Sequence, residues 1–173
     1  VFYYMTVMNE NYEHPSLPAG AEADILKGMY RFREGQRSDG PRVQLLGSGT
    51  IFREVIAAAD LLRQDWGVES ALWGCPSFTE LAREGNACAR WNLLHPNEQA
   101  RVSHVERCLA GTQGPVIASS DYVRLLADQI RPFVPRRYAV LGTDVFVRSY
   151  TRQKLLHFFE VERYWVALAA LKA

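Results

Sequence analysis

The sequence predicts a three-layer α/β/α sandwich around a mostly parallel sheet. Short apolar segments alternate with longer segments whose apolar residues recur at helical spacing. Glycine, proline and serine mark the boundaries, and the chain contains no internal repeat. This alternation is typical of βαβ units. A chain of 173 residues with 48% apolar and 23% charged residues is sufficient for one domain with a buried core.

Residues 1–41 are predicted to be a lead-in packed on the domain, and residues 42–173 to be the α/β domain itself. Residues 1–8 are rich in aromatic and β-branched side chains, which predicts a strand or an extended lead-in. A loop over residues 9–20, a short helix over 21–27, a strand over 29–33 and a turn over 34–41 follow.

The regular alternation begins after that turn. Residues 43–46 are a predicted buried strand, ended by Gly47-Ser48-Gly49. Thr50 is the predicted N-cap of the next helix, and Gly67 is its predicted end. The apolar face of this helix has a spacing near 3.6 and consists of Ile51, Val55, Ala58, Ala59 and Leu62.

The second half repeats the pattern. A strand over residues 68–73 precedes a helix that opens at Pro76, where Ser77 and Glu80 form a predicted capping box. Further strands are predicted at residues 116–118 and 138–141, and two helices at 151–159 and 164–171. Between these strands lies a helix whose apolar side is formed by Val123, Leu126, Ala127 and Ile130.

Composition excludes several classes of function. The net charge of +1 gives no electrostatic basis for binding nucleic acid or an anionic membrane. No apolar run approaches the roughly 20 residues that span a bilayer, and there is no signal-peptide pattern. Cys75, Cys88 and Cys108 are odd in number and in no C-x-x-C pair, which favours reduced thiols in a cytoplasmic protein. The chain lacks an initial Met and ends within a helical pattern, so we expect a domain cut from a longer protein.

No residue set predicts catalysis or metal binding. Gly47-Ser48-Gly49 lies between a strand and a helix, where a phosphate loop would lie. Because no third glycine or lysine follows, we favour a tight turn, at which an anion could still bind without functional meaning. Ser48 has no recognisable base partner. His104 and Cys108 could share a helix face and a metal, but spacing supplies no third ligand, which favours a half-buried pair. Glu160 and Glu162 favour a cap or a solvated turn.

Several blocks across the chain carry a family resemblance. They are Tyr3-Tyr4, Asn9-Glu10-Asn11-Tyr12, Val43-Gln44-Leu45-Leu46-Gly47-Ser48-Gly49, Ser77-Phe78-Thr79-Glu80-Leu81-Ala82-Arg83, Arg90-Trp91-Asn92-Leu93-Leu94-His95-Pro96 and Leu141-Gly142-Thr143-Asp144. Together they resemble the C-terminal domain of the homodimeric, thiamine-diphosphate-dependent pyruvate dehydrogenases of Gram-negative bacteria. The resemblance implies a transketolase C-terminal fold with about five strands, one of them antiparallel.

The same resemblance implies how such a domain is used. Family members decarboxylate pyruvate on thiamine diphosphate and pass the acetyl unit to lipoyl groups of an acetyltransferase component. Their cofactor and magnesium are held by N-terminal and middle domains that this chain lacks. C-terminal domains of this fold serve homodimer contact and partner docking. We therefore expect no catalytic, cofactor-binding or metal-binding residue here, and an isolated copy that is inactive.

One loop departs from the family's pattern, Gly-Thr-Asp-Gly-Phe-Gly-Arg-Ser-Asp. The inner glycines are Val145 and Val147, the closing aspartate is Tyr150, and nearby Leu156 replaces an arginine and Glu162 an aspartate. These changes mostly remove flexibility and charge and add apolar area.

We therefore predict a protein-binding or self-association surface formed by Val145, Phe146, Val147, Tyr150 and Leu156. An engineered or newly adapted surface is the favoured explanation. The alternative is a natural domain of the dehydrogenase in which these side chains pack inward. Exposure to water distinguishes the two.

Overall fold

The computed structural model describes residues 2–5, 11–35, 39–145 and 149–173. The five strands are β1 (Tyr30–Arg33), β2 (Arg42–Gly47), β3 (Glu69–Gly74), β4 (Val116–Ser119) and β5 (Tyr138–Leu141). The helices are α1 (Glu22–Leu26), α2 (Phe52–Trp66), α3 (Phe78–Leu94), α4 (His104–Leu109), α5 (Arg124–Asp128), α6 (Arg152–Phe158) and α7 (Arg163–Lys172).

The strands form one sheet in the order β1-β3-β2-β4-β5. Strands β2 to β5 are parallel, and β1 pairs antiparallel with β3. In the centre, Leu45 of β2 lies opposite both Leu72 of β3 and Ile117 of β4. The chain moves from β2 to β3 on one side and then crosses β2 to reach β4 on the other. The mixed five-stranded sheet implied by the resemblance is confirmed.

Two hydrophobic clusters pack on the two faces of the sheet. Leu45 and Leu72 face α2 and α7, whereas Leu46 and Trp73 face α3, α4 and α5. Because successive side chains of a strand point to opposite faces, a strand covered on both sides is apolar along its length. Residues 43–46 are buried throughout, and the polar side chain among them, Gln44, accepts a hydrogen bond from the Trp73 Nε1–H and donates one to the Gln113 carbonyl. The three-layer prediction is confirmed.

Helix α2 ends as predicted but begins differently. Gly67 adopts a left-handed conformation with φ of 63° at the C-cap, which glycine tolerates without a steric cost. Thr50 is not an N-cap, because a 3-10 turn over Gly49–Ile51 precedes the helix and neither element has a side-chain cap hydrogen bond. The Thr50 Oγ1 instead accepts a hydrogen bond from the Arg152 guanidinium.

Two serine caps start the helices on the opposite face. The Ser77 side chain accepts a hydrogen bond from the Glu80 N–H at 3.1 Å, but the predicted capping box is incomplete, because the Glu80 carboxylate contacts the Arg83 guanidinium instead of the Ser77 N–H. Helix α4 was not predicted, although Ser103 and Glu106 form a complete capping box at its start. This Ser-x-x-Glu spacing is a helix signal that the sequence contains.

Of residues 1–8, predicted to be a strand or an extended lead-in, Phe2, Tyr3, Tyr4 and Met5 are described. They lie in no strand and their side chains are exposed. One helix prediction is corrected. Helix α5 is shorter than predicted, since Val123 precedes its first turn. Across the described ranges, no helix is long and apolar enough to cross a membrane.

Candidate protein-binding surface

The loop that leaves β5 is clasped to the loop that leaves β4. The Thr143 N–H donates to the Tyr122 carbonyl at 2.9 Å, and the Thr143 Oγ1 donates to the Asp121 carbonyl at 2.7 Å. Gly142 makes this approach possible, because a Cβ there would lie 2.7 Å from the Tyr122 carbonyl oxygen. The neighbouring ends of two parallel strands are thereby joined.

Asp144 completes this β4–β5 clasp. Its Oδ1 accepts a hydrogen bond from the Arg124 N–H at 2.7 Å, and its Oδ2 contacts the Arg124 guanidinium. These hydrogen bonds hold the pKa of Asp144 below its ordinary value. The carboxylate therefore accepts the backbone N–H of the first residue of α5, at a helix end where negative charge is favourable. Leu141-Gly142-Thr143-Asp144 has a structural role at this place.

Apolar side chains project beside the clasp. Val145 and Tyr150 are each 58% exposed, Leu125 is 71% exposed and Phe158 is 43% exposed. Val145 and Phe158 line a shared groove of about 230 Å³ together with Leu141 and Phe159. Leu125 follows Arg124 of the clasp, and Tyr150 lies two residues before α6, which ends at Phe158. We call Val145, Tyr150, Leu125 and Phe158 the loop surface. Large exposed apolar groups are typical of a contact surface when they form one patch.

The predicted residues of this surface have different outcomes. Val145 and Tyr150 point to solvent, as a binding surface requires. Phe146 and Val147 lie outside the described residues. Leu156 is half-buried and packs against the core cluster of α2 and α7, so its predicted place on an open surface is corrected. Sequence reasoning missed Leu125, which follows Arg124 of the clasp, and Phe158, which shares the groove with Val145.

The glycine-containing turn after β2 is occupied by interactions within the chain. The Ser48 Oγ donates to the Ser120 Oγ at 3.0 Å, which ties the ends of β2 and β4 together. The Ser120 Oγ in turn accepts a hydrogen bond from the Tyr122 N–H. These contacts support the interpretation of Gly47-Ser48-Gly49 as a tight turn.

His104 and Cys108 lie together on α4, as their spacing predicts. The His104 Nε2 is 2.8 Å from the Met29 carbonyl and 3.4 Å from the Cys108 sulfur. Burial raises the pKa of the Cys108 thiol to about 11, so it is protonated at neutral pH. Within the ranges the structure describes, no group of three or more His, Cys, Asp or Glu side chains could hold a metal ion.

The acidic residues between α6 and α7 belong to a tight corner. Glu160 has φ of 59°, which is uncommon for a residue other than glycine. Glu162 occupies the N-cap position of α7, and its carboxylate lies 2.6 Å from the His157 Nδ1. The predicted turn is therefore present, with Glu162 bound to a histidine instead of capping the helix through its side chain.

The fold and these blocks agree with a known family. Residues 28–162 match the model of the transketolase-like C-terminal domain, and the chain belongs to that family. Among solved structures, transketolase from Campylobacter jejuni matches with a TM-score of 0.56 and 19% identity, over 87% of this chain and 19% of that one. Transketolase from Leishmania mexicana matches with a TM-score of 0.55 and 15% identity, over 89% of this chain and 19% of that one. At these identities the likeness concerns the fold.

Curated relatives are much closer in sequence. The pyruvate dehydrogenase E1 component of Cupriavidus necator is 74% identical over 100% of this chain. That of Pseudomonas aeruginosa is 58% identical over 100%, and that of Escherichia coli K12 is 49% identical over 99%. The chain spans 19% to 20% of the length of these relatives. It therefore corresponds to one domain of proteins about five times longer.

Proposed function

We propose that this chain is the C-terminal association domain of a cytoplasmic pyruvate dehydrogenase E1 component and that it acts by protein contact through the loop surface. The observation that carries the proposal is the exposure of Val145 and Tyr150 at 58% each, beside a clasp in which Thr143 and Asp144 of the same loop are hydrogen-bonded. Apolar area left open beside a fixed backbone is suited to burial against a protein.

A non-catalytic role for the isolated domain is part of the proposal. Among the described residues, no three or more His, Cys, Asp or Glu side chains form a group that could hold a metal ion, and the family that the sequence resembles binds thiamine diphosphate together with magnesium. We expect that cofactor and the decarboxylation of pyruvate to belong to the other four-fifths of the longer relatives.

The residues that differ from the family's loop pattern support the proposal that this loop is a contact surface. Valine at positions 145 and 147 and tyrosine at position 150 add apolar area where the family pattern has glycines and an aspartate. Burial of apolar area contributes about 25 cal/mol per Å², and tyrosine is a frequent anchor of interfaces. We attribute these residues to an engineered or newly adapted contact, with self-association as its simplest form.

Light scattering after size exclusion, over a range of chain concentrations, tests the proposal. The wild-type chain is expected to form a concentration-dependent dimer or larger species. The variant Val145→Gly/Val147→Gly/Tyr150→Asp is expected to lose it. The matched control is Tyr164→Asp, which removes a tyrosine that is 65% exposed on α7. Association that survives the triple change, or that Tyr164→Asp abolishes equally, would contradict a contact through the loop surface.

A second candidate follows from the 74% identity to a pyruvate dehydrogenase E1 component. In this alternative the domain is a natural one that docks on the acetyltransferase component. Sedimentation of the chain with that purified component separates the two candidates. A wild-type chain that is monomeric alone and sediments with the component would favour docking.

A further inference from the structure

Residues 11–15 form a strap at the carboxyl edge of the sheet. Together with Gly47 and Gly74, which end β2 and β3, the strap lines a cavity of about 310 Å³. In open α/β sheets this edge is the usual place for a ligand. In this protein the strap covers part of that edge, and side-chain contacts hold the strap in place.

Tyr12 is the residue that anchors the strap to two helices. Its ring centroid lies 4.5 Å from the guanidinium carbon of Arg53, in the first turn of α2. It also lies 5.6 Å from that of Arg152, the first residue of α6. The Arg152 guanidinium donates a hydrogen bond to the Thr50 Oγ1 just before α2. We call Tyr12, Arg53, Arg152 and Thr50 the Tyr12 clamp.

Apart from Leu156, which packs against the core cluster of α2 and α7, helix α6 has little support of its own. It is seven residues long, and none of its residues is fully buried. Its N-cap residue, Thr151, makes no side-chain cap hydrogen bond. Isolated helices of this length are marginal in water, and a missing cap lowers helix stability further. The contacts of Arg152 with Tyr12 and Thr50 therefore hold the first turn of the helix.

The N-terminal end of α6, where Arg152 makes these contacts, lies next to Tyr150 of the loop surface in the sequence. Tyr150 lies two residues before Arg152, and Phe158 ends the same helix. We propose that the Tyr12 clamp positions the loop surface, so that release of the strap loosens α6 and weakens protein association. This inference rests on the proposed function. Because coupling between two sites is reciprocal, binding at the loop surface also holds the strap in place.

Amide hydrogen exchange of Tyr12→Ala tests the clamp directly. The reporters are the amides of Leu155 and Phe159, which donate to the carbonyls of Thr151 and Leu155. A cation–π contact at an exposed site predicts exchange about two- to fivefold faster in α6. The Leu81 amide at the start of α3 is expected to stay unchanged and reports global stability. Unchanged exchange in α6 would overturn the proposal.

Matched variants distinguish the effect of losing the Tyr12 aromatic ring from the effect of losing any tyrosine in this segment. Tyr12→Phe keeps the aromatic face, and Tyr4→Ala removes a tyrosine that is 94% exposed in the same N-terminal segment. Both are expected to exchange like the wild type. Tyr12→Ala combined with Arg152→Ala is expected to exchange no faster than Arg152→Ala alone, because the Tyr12 ring contacts α6 through Arg152. Additive acceleration in the double variant would also overturn the proposal.

Light scattering of the same variants tests the link to association. Tyr12→Ala is expected to weaken self-association by about two- to fivefold, in parallel with the exchange. Faster exchange with undiminished association would overturn the link between the clamp and the loop surface. If the wild-type chain does not associate at all, the proposed self-association fails, and exchange in α6 still decides the clamp.

Discussion

Replacing Gly142 by alanine is expected to open the β4–β5 clasp. The new Cβ would lie 2.7 Å from the Tyr122 carbonyl oxygen, 2.8 Å from the Arg124 nitrogen and 2.9 Å from the Arg124 Cα. All three atoms belong to backbone, so no flexible side chain can move aside. Relief to an ordinary contact of 3.4 Å would separate the loops by up to about 0.7 Å, and the clasp hydrogen bonds of 2.7–2.9 Å would lengthen to roughly 3.4–3.6 Å, where they are weak or lost.

The cost follows from the bonds lost. Two are neutral hydrogen bonds of about 1 kcal/mol each, and the bond to Asp144 involves a charged but exposed carboxylate, so we expect Gly142→Ala to destabilise the fold by about 2–3 kcal/mol. Urea unfolding followed by tryptophan fluorescence measures this free energy. Gly111→Ala is the control, because its Cβ meets nothing within 4 Å and only the backbone conformation at φ of 71° is penalised. A free energy of unfolding within about 0.5 kcal/mol of the wild type would refute the steric reasoning.

Two further changes test other parts of the fold. Ser77→Ala removes the N-cap of α3 and is expected to lower the free energy of unfolding by about 1 kcal/mol. Ser77→Thr is the control, because threonine keeps the capping hydroxyl. An unchanged urea midpoint for Ser77→Ala would argue against the cap. Glu54→Gln weakens the pair with Arg163 that joins α2 to α7, at a cost of about 1–2 kcal/mol at neutral pH. Because this pair holds the pKa of Glu54 below its ordinary value, its contribution is complete above the unfolded pKa of about 4.3 and is lost as the pH falls through the folded value. The stability difference between wild type and Glu54→Gln should therefore shrink in acid, and a difference independent of pH would contradict this assignment.

The sequence predicted the layers because their signals are local. The strand at residues 138–141 was placed with its observed ends, and Gly67 and Ser77 end and begin their helices as expected. Each of these signals lies within a few neighbouring residues, where periodicity and capping chemistry act. The number of strands and the presence of an antiparallel one came from family resemblance. The order of the strands was not predicted, since pairing between β2 and β4 joins residues some 70 positions apart.

The candidate site was less predictable, because it depends on contacts between distant segments. The Asp144–Arg124 contact joins residues 20 positions apart, and the Arg152–Thr50 contact joins residues 102 positions apart. No local pattern shows that Leu125 and Phe158 flank the same loop. For Leu156, the loss of a charge suggested exposure, whereas the turn of α6 places this side chain against the core.

The central position of β2 has a consequence for how the chain is synthesised. A nascent chain emerges from its N-terminus, so β2 can pair with β3 as soon as residue 74 is available, but its other edge remains open until β4 at residues 116–119 follows. During that interval Leu45 and Leu46 belong to an unfinished edge strand, which is a site where other chains can pair. The length of the connection from β3 to β4, which contains α3 and α4, thus determines how long the nascent domain has an open strand edge and is most prone to aggregate.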